Sequence, residues 1–455
     1  MFPSTPQFDA ALAIVKTLRT AGHHAYLAGG CVRDLLLGRS PSDYDVATSA
    51  TPDIVLDMFP HTFAVGAHFG VVLVAQQSAE DRIVTEVATF RSDGAYSDGR
   101  HPDAVRYTIN AEEDVKRRDF TINGLFLDPL NKSSDLRSAV LDYCGGIADL
   151  DASMVRAIGH AEQRFAQDNL RMLRAVRFAA RFGFEIEAST MRAIRWLAAQ
   201  IHVVSRERIR EELTKILTEG RARRAFELLD ETALLHEVLP EVERMKGVEQ
   251  PPQFHPEGDV WTHTLMLLEQ LELDCSMTLA WGALLHDIGK PATFRIAPDR
   301  IRFDGHVEVG VAIATQICHR FRFSNDETRQ VLALVQNHMR FADVESMRAS
   351  TLKRFFRLEA FDQHLALHRM DALASNRNLN YWQFARDRWQ SMPEETVHPQ
   401  PLITGHDLIA AGYRPGAQFR TMLQAAEDAQ LEGAITTTDD ALRFVCEKFG
   451  AAKLS

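Results

Sequence analysis

The stretch from Leu27 to Thr48, LAGGCVRDLLLGRSPSDYDVAT, constrains the fold more than any other segment, because it sets a Gly-Gly turn, an Arg-Asp pair and an Asp-x-Asp on one short path. The apolar run before Gly29 and Gly30 reads as a strand entering a turn, where two glycines let backbone N–H groups approach a phosphate. Leu35 to Leu37 read as a short helix closed by Gly38, and Ser42 to Ala47 alternate as a second strand. Side chains two apart on a strand share a face, so Asp43 and Asp45 are expected to point the same way. Two such carboxylates repel each other unless a cation lies between them, and hard oxygen ligands suit Mg²⁺. A lone Asp-x-Asp is commonly a solvated strand edge and a lone Gly-Gly a simple turn. In this order, with Arg33 as a forked cation beside Gly30, they point to a magnesium-nucleotide site.

With 455 residues, 45% of them apolar and 25% charged, the chain has room for about three domains of ordinary globular composition. The N-terminus reads as an amphipathic helix over Phe8 to Leu18, not as a leader, and no apolar run reaches the length needed to span a membrane. A cytoplasmic enzyme is the expectation. The five cysteines are scattered and never in Cys-x-x-Cys spacing, which indicates neither a disulfide framework nor a zinc ribbon. The net charge of -11 speaks against a uniformly basic nucleic-acid binder, although VKRRDF, RMLRAVRFAARF and SRERIREELTK are local basic stretches able to hold phosphates.

Strand signals such as GVVLVA and RIVTEVATF run through residues 1–145, mixed with helices. Beyond them the pattern turns to helical periodicity, with Pro251-Pro252 and Pro399 to Pro401 as seams. The expected architecture is α+β: a head with a small mixed sheet and helices over 1–145, a helical neck over 146–250, a histidine-rich helical region over 251–375 and a helical tail over 376–455. A third carboxylate is expected from a neighbouring strand, and Glu86 in VTEVATFR interrupts an otherwise apolar face; the alternative is a satisfied edge glutamate. Two Mg²⁺ ions held by Asp43, Asp45 and Glu86 would activate a 3′-hydroxyl and neutralise a leaving pyrophosphate, the chemistry of nucleotidyl transfer.

Together these segments resemble the nucleotidyltransferases of the polymerase β superfamily, specifically the bacterial CCA-adding enzyme and poly(A) polymerase family, and the resemblance runs almost end to end. It implies a polymerase β-like head. In KRRDFTING, residues 116–124, it implies that Arg118 contacts the nucleotide, with Asp119 orienting Arg118. FRSDGAYSDGRHPDAVRYT is similar to the family's mobile loop. In QDNLRMLRAVRFAARFGF, residues 167–184, steps of three place Asp168, Arg171, Arg174 and Arg177 on one slanting helical stripe, with Leu170, Leu173, Val176 and Ala180 opposite. Cytosine and adenine both present an amino donor beside a ring-nitrogen acceptor, so Asp168 as acceptor and Arg171 as donor would admit C and A and refuse U and G. The resemblance implies that Arg174 and Arg177 continue this nucleotide-binding stripe. One departure stands out: the family has Glu before this Asp, and here it is Gln167, which leaves the balance between CTP and ATP open.

HPEGDVWTHT, LLHDIGKP, DGHVEVG, QNHM and HRMDALAS carry His263, His286, Asp287, His306, His338 and Asp371. Singly, each histidine reads as a core or surface residue. As a set they resemble an HD-type metal-dependent phosphohydrolase, whose imidazole and carboxylate ligands suit a divalent transition metal better than Mg²⁺. The tail, PLITGHDLIAAGYRPGAQFRTMLQ onward, reads as two amphipathic helices around a Gly-Tyr-Arg-Pro-Gly turn and resembles the family's RNA-holding C-terminal region. The leading reading is an RNA 3′-end nucleotidyltransferase that adds CCA to tRNA from CTP and ATP without a template. A poly(A) polymerase or a partial adder is the alternative within that class. A phosphohydrolase with an inactive head and a non-catalytic RNA-binding protein are alternatives outside it.

Overall fold

The computed structural model describes residues 3–64, 70–77, 82–93, 105–131, 135–253 and 255–451. They fall into two compact units, Met1–Glu243 with Glu272–Asp274, and Arg244–Leu271 with Cys275–Ser455.

The first unit opens on helix α1 (Pro6–Thr20), nucleated where Thr5 accepts the Phe8 N–H and Pro6 takes the first turn. Phe8, Ala11, Ile14, Val15 and Leu18 make its buried face, the spacing of an amphipathic helix. Strand β1 (Ala25–Ala28) then turns at Gly29, whose φ of 72° lies in the left-handed region, into helix α2 (Gly30–Leu36). Strand β2 (Val46–Thr48), helix α3 (Pro52–Met58) and strands β3 (Thr62–Phe63), β4 (Val71–Gln77) and β5 (Arg82–Thr89) follow. A separate two-stranded ladder joins β6 (Arg91–Asp93) to β7 (Val105–Tyr107). The segment expected as a mobile loop lies largely outside the described residues, which omit 94–104. After helix α4 (Ala111–Lys116), strands β8 (Leu125–Leu127) and β9 (Val140–Asp142) complete a seven-stranded sheet in the order β3-β4-β5-β2-β1-β8-β9. The β2–β5 pair is parallel and the others antiparallel, so the sheet is mixed, as expected. Tyr26, Phe90 and Phe126 pack on it with ring centroids 5.7–6.3 Å apart. Burying a side chain such as Phe90 stabilises by about 1.5–3 kcal/mol.

Two local expectations fail near Gly29. The Gly29 turn starts the helix at Gly30, five residues before the expected Leu35. β1 ends at Ala28, its register pairs Leu27 with Val46, and β2 begins only at Val46. Asp43 and Asp45 sit on the approach to the sheet, anchored by the Ala28 N–H donating to the Asp45 carbonyl at 3.0 Å.

Helices α5 (Gly146–Asp151), α6 (Ala161–Gln167), α7 (Leu170–Phe182), α8 (Ala188–Leu197) and α9 (Arg206–Thr218) continue the first unit. The expected single helix across 167–184 is broken: Asp168 is extended and accepts the Leu170 N–H, as a side chain does when it starts a new helix. Asp168 therefore lies off the helix that carries Arg171, Arg174 and Arg177. The four expected apolar positions of α7 are buried, and so are Met172, Ala175 and Ala179, because α7 packs against α9 and the helix Ala222–Glu231.

The second unit is built from helices Val260–Leu268, Met277–Leu285, His306–Arg320, Asn325–Asn337 and Phe361–Ala374. Gly289 marks a close backbone approach. A Cβ there would stand 2.0 Å from the His306 carbonyl oxygen and 2.6 Å from the Gly310 nitrogen, so glycine lets the chain after Asp287 lie against the helix of His306. From Pro401 onward the described residues form three helices, Gly405–Ala410, Gln418–Glu432 and Thr438–Phe449, instead of the expected two. Gly433 at φ 76° ends the second, and Thr437 starts the third by accepting the Asp440 N–H. The body is also not purely helical: Met154–Val155 pairs with Glu185–Ile186, and Arg295–Ile296 with Ile301–Arg302. Among the described residues no helix is long and apolar enough to cross a membrane.

Candidate active sites

The first unit gathers carboxylates beside the Gly29 turn. Asp45 has its pKa pushed up to about 7, first by burial, then by the charges of Glu86 and Asp43, with Arg118 opposing. Glu86, on β5, is raised as well, by burial and by Asp43. Two carboxyls raised by burial and by carboxylate neighbours are short of positive charge, and a hard divalent cation is a ligand that relieves this. Glu86 lies on β5, an interior strand of the sheet, and its charge acts on Asp45.

Arg118 closes the other side of the turn. A Cβ on Gly29 would lie 3.1 Å from its Nη1, and its guanidinium stacks over Phe126 at 4.9 Å. Its orienting partner is not Asp119, as expected, but Asp114, which accepts from Arg118 Nε and Nη2 at 3.1 and 3.0 Å and from Arg117 Nε at 2.7 Å. Asp114 precedes Arg118 by one helical turn, an i,i+4 spacing readable from the sequence. Asp119 instead accepts from Arg174 Nε and Nη2 at 2.9 and 2.7 Å and from Asn123. Burial raises its pKa, yet Arg174 and Arg171 hold it down to about 2.

The remaining arginines divide by exposure. Arg33 is 4% exposed, donates to Asn123 Oδ1 at 2.6 Å and to Asp34, and lies over Phe182. Its side chain braces α2 against Asn123 and is spent on these contacts, so Arg33 is not free to reach out from the turn as expected. Arg177, expected on a nucleotide stripe, is buried, with Nε donating to Glu212 at 2.5 Å and Nη1 to Glu219 at 2.9 Å. Arg171 Nη1 donates to the Arg164 carbonyl and to Gln167 Oε1, and Nη2 to the Arg117 carbonyl. Gln167 Oε1 also accepts from Arg164 Nη1 at 2.8 Å, so the amide anchors two arginines without a charge. Asp168 is held by Arg208, at 3.2 and 2.8 Å to its two oxygens. Arg208 belongs to the basic stretch SRERIREELTK, but its partner lies 40 residues away, which no local pattern reveals.

The second unit brings its six expected residues together. His263 Nε2 lies 3.3 Å from His286 Nε2, 3.2 Å from Asp371 Oδ1 and 3.8 Å from Asp287 Oδ2. Asp287 Oδ1 lies 3.8 Å from His306 Nε2 and 3.6 Å from His338 Nε2. Asp287 thus bridges two groups whose ligand atoms converge within 4.8 Å. The Nδ1 atoms of His286, His306 and His338 each face a backbone carbonyl at 2.7–3.0 Å, which fixes those protons on Nδ1 and turns the Nε2 lone pairs inward. The buried Nε2 atoms of His306 and His338 have no hydrogen-bond partner. Orphaned lone pairs of that kind fit a metal ion.

Three neighbours complete this cluster. Lys290 Nζ lies 2.6 Å from Asp287 and donates to Gln250, and with His286 it holds the Asp287 carboxyl well below its usual range against the effect of burial. Glu257 Oε1 contacts His255 Nδ1 at 2.8 Å and His263 Nδ1 at 2.7 Å. Burial lowers the His263 pKa, but Asp371 and Glu257 lift it to about 9; burial dominates at His338, at about 4.

Comparison with known proteins bears on both units. The family model of the poly A polymerase head domain matches residues 25–156, that of the probable RNA and SrmB-binding site of polymerase A matches 183–246, and that of the HD domain matches 260–374. A CCA-adding enzyme of Lactobacillus gasseri is 32% identical over 437 residues, 96% of each chain. One from Geobacillus thermodenitrificans is 42% identical over 229 residues, a match that spans half of this chain and 54% of that one. The crystal structure of the Bacillus stearothermophilus CCA-adding enzyme in complex with CTP superposes with a TM-score of 0.73 at 27% identity, covering 98% of both chains. The Thermotoga maritima CCA-adding enzyme complexed with tRNA, at 17% identity and a TM-score of 0.57, shares the fold. On the end-to-end match to the Lactobacillus relative and the three domain matches, the chain belongs to the CCA-adding enzyme family.

Proposed function

We propose that this protein adds CCA to the 3′ end of tRNA, taking CTP and ATP and releasing pyrophosphate. The observation that carries the proposal is the group of Asp43, Asp45 and Glu86 beside the Gly29–Arg118 turn, where burial and the charges of Glu86 and Asp43 push the Asp45 carboxyl up. Asp43, Asp45 and Glu86 would hold Mg²⁺, which supplies charge for the attacking 3′-hydroxyl and the leaving pyrophosphate. The Gly30 amide end of α2 and Arg118 would face the triphosphate, and Asp114 keeps Arg118 in place. Asp168 and Arg171 would read the base edge, with Arg208 and Gln167 fixing their directions. Arg174, tied to Asp119, is the stripe residue left for the nucleotide, while Arg177 secures the helix beneath it. Relatives solved with CTP, with ATP and with tRNA support this assignment.

The test supplies purified protein and Mg²⁺ with tRNA transcripts ending before CCA, after C and after CC, each nucleotide alone and mixed. Addition that stops at CCA supports the proposal. Long A tracts would make the chain a poly(A) polymerase, and partial addition a split-specificity enzyme.

A second reading attaches to the second unit, on the orphaned Nε2 atoms of His306 and His338. His263, His286, Asp287 and Asp371 with this pair would hold a divalent transition metal, which supplies a water of lowered pKa for hydrolysis of a phosphate ester. Phosphate release from an RNA 3′-phosphate, dependent on added Mn²⁺, Ni²⁺, Co²⁺ or Zn²⁺ and lost in Asp287→Asn, tests it.

A further inference from the structure

Arg33, read from the sequence as the cation beside the Gly29 turn, is tied to Asp34 and Asn123, and a second arginine of the same segment stands over the same ring. Phe182, at the end of α7, faces three guanidiniums, those of Arg33, Arg39 and Arg181, at 4.5, 5.0 and 5.5 Å from its ring centroid. The ring is itself fixed, stacked on Phe178 at 6.1 Å and tilted against Phe184 at 5.7 Å. Two of the three cations are neutralised, Arg33 by Asp34 at 2.8 Å and Arg181 by Glu219 at 3.0 Å. Arg39 has no such partner. It is exposed, its backbone N–H is anchored on the Asp34 carbonyl at 2.8 Å, and among the described residues the contact of its guanidinium is the Phe182 face. An arginine held on an aromatic face has already given up part of its rotamer freedom, while the N–H groups around its edge stay open to an acceptor.

Arg39 lies four residues before Asp43, and a chain of that length spans at most about 14 Å. A nucleotide whose inner phosphate meets a cation held by Asp43 and Asp45 therefore has its outer phosphate within reach of the Arg39 side chain. We infer that Arg39 binds the terminal phosphate of the incoming nucleoside triphosphate and keeps hold of it in the leaving pyrophosphate. The inference rests on the nucleotidyl-transfer reading of the first unit. A planar guanidinium fixed by its face suits two oxygens of one phosphate. A strand of RNA is held instead by a series of cations along its backbone, and here the guanidiniums that share the ring with Arg39 are already neutralised, which leaves one charge for one compact anion.

The test compares the full chain with Arg39→Ala and Arg39→Lys. Binding of CTP, CDP and CMP is measured by calorimetry with Mg²⁺ and without tRNA, and KM is measured for CTP and for a tRNA transcript lacking CCA. A hydrogen bond to a charged group is worth roughly ten- to a hundredfold in affinity, so Arg39→Ala should weaken CTP by that range and raise its KM alike. CDP and CMP, which lack the terminal phosphate, should stay within about twofold, and so should KM for tRNA; retained CMP binding also reports a folded variant. Arg39→Lys keeps the charge without the planar fork and should recover only part of the loss. Equal losses on CTP and CMP, a loss shared by CTP and CDP, or unchanged CTP binding would each overturn the inference, and a rise in KM for tRNA alone would make Arg39 an RNA contact. If the wild type extends no tRNA, the CCA reading fails by itself, and the comparison of CTP with CDP and CMP still decides Arg39.

Discussion

In the first unit Asp43 and Glu86 are exposed and set like charge beside the half-buried Asp45, whereas in the second unit His263, His286, His338 and Asp287 are buried and three rings, those of His286, His306 and His338, are oriented by backbone carbonyls. The difference is visible in Asp45 and Asp287. Burial acts on both carboxyls in the same direction, but Asp45, facing Glu86 and Asp43, is driven up to about 7, while Asp287, facing Lys290 and His286, is held well down. On the proposed function the first site is completed by the cation it binds, whereas in the second Lys290 already supplies positive charge to Asp287; the comparison teaches that a site can be left electrostatically unsatisfied where a ligand would bring the missing charge.

Four changes would break or sharpen this contrast. Asp43→Ala with Asp45→Ala should abolish nucleotide addition, on the order of 10³-fold or more, since the lost charge stabilisation amounts to several kcal/mol. Metal content of the second unit should stay unchanged, which gel-resolved extension and elemental analysis together would check. Gly289→Ala should do the converse. Its Cβ has no room beside the His306 carbonyl and Gly310 nitrogen, so the cluster should lose bound metal, with about 1–3 kcal/mol of overpacking strain read from denaturant unfolding, while addition continues.

Arg177→Ala should act through stability. It leaves Glu212 and Glu219 without their buried partner, a loss of about 3–5 kcal/mol that urea titration would register, and KM for CTP in the folded fraction should hold. A large rise in that KM with little loss of stability would return Arg177 to the nucleotide stripe.

The smallest effect concerns pH. His364 is buried with neither ring nitrogen paired, and burial, with Arg340 nearby, lowers its pKa to about 4. Between about pH 6.5, its unfolded value, and pH 4 the unfolded chain binds a proton that the native chain refuses, so stability falls as pH falls through that window. His364→Leu should flatten the decline of Tm between pH 7 and pH 5; an unchanged slope would assign the acid sensitivity elsewhere.

Local features of both sites were legible in the sequence, and their supports were not. The Gly29-Gly30 turn and the Asp43-x-Asp45 pair are spelled within one short stretch, and the six residues of the second cluster are recognisable by type because imidazole and carboxylate converge for few other reasons. Glu86 was reachable as a charge interrupting an apolar strand. The strand boundary failed because β1 ends at a turn whose left-handed glycine also starts α2 early. The pairing of Arg177 is not legible because Glu212 and Glu219 lie 35 and 42 residues on, and helical periodicity alone does not separate a solvated arginine from one paired inside. Asp119 was given to its sequence neighbour Arg118, yet its partner Arg174 comes from 55 residues away. Glu257 and Lys290 sat inside motifs already read for other residues.

The most direct test of the central claim is extension of a tRNA transcript lacking CCA, resolved to single nucleotides, by the wild-type chain and by Asp168→Ala in CTP, ATP, UTP and GTP. The account predicts that the wild type adds C, C and A, stops there and refuses U and G, and that Asp168→Ala loses that discrimination while still releasing pyrophosphate. Wild-type addition of U or G at rates comparable to C and A, or discrimination that survives in Asp168→Ala, would contradict it.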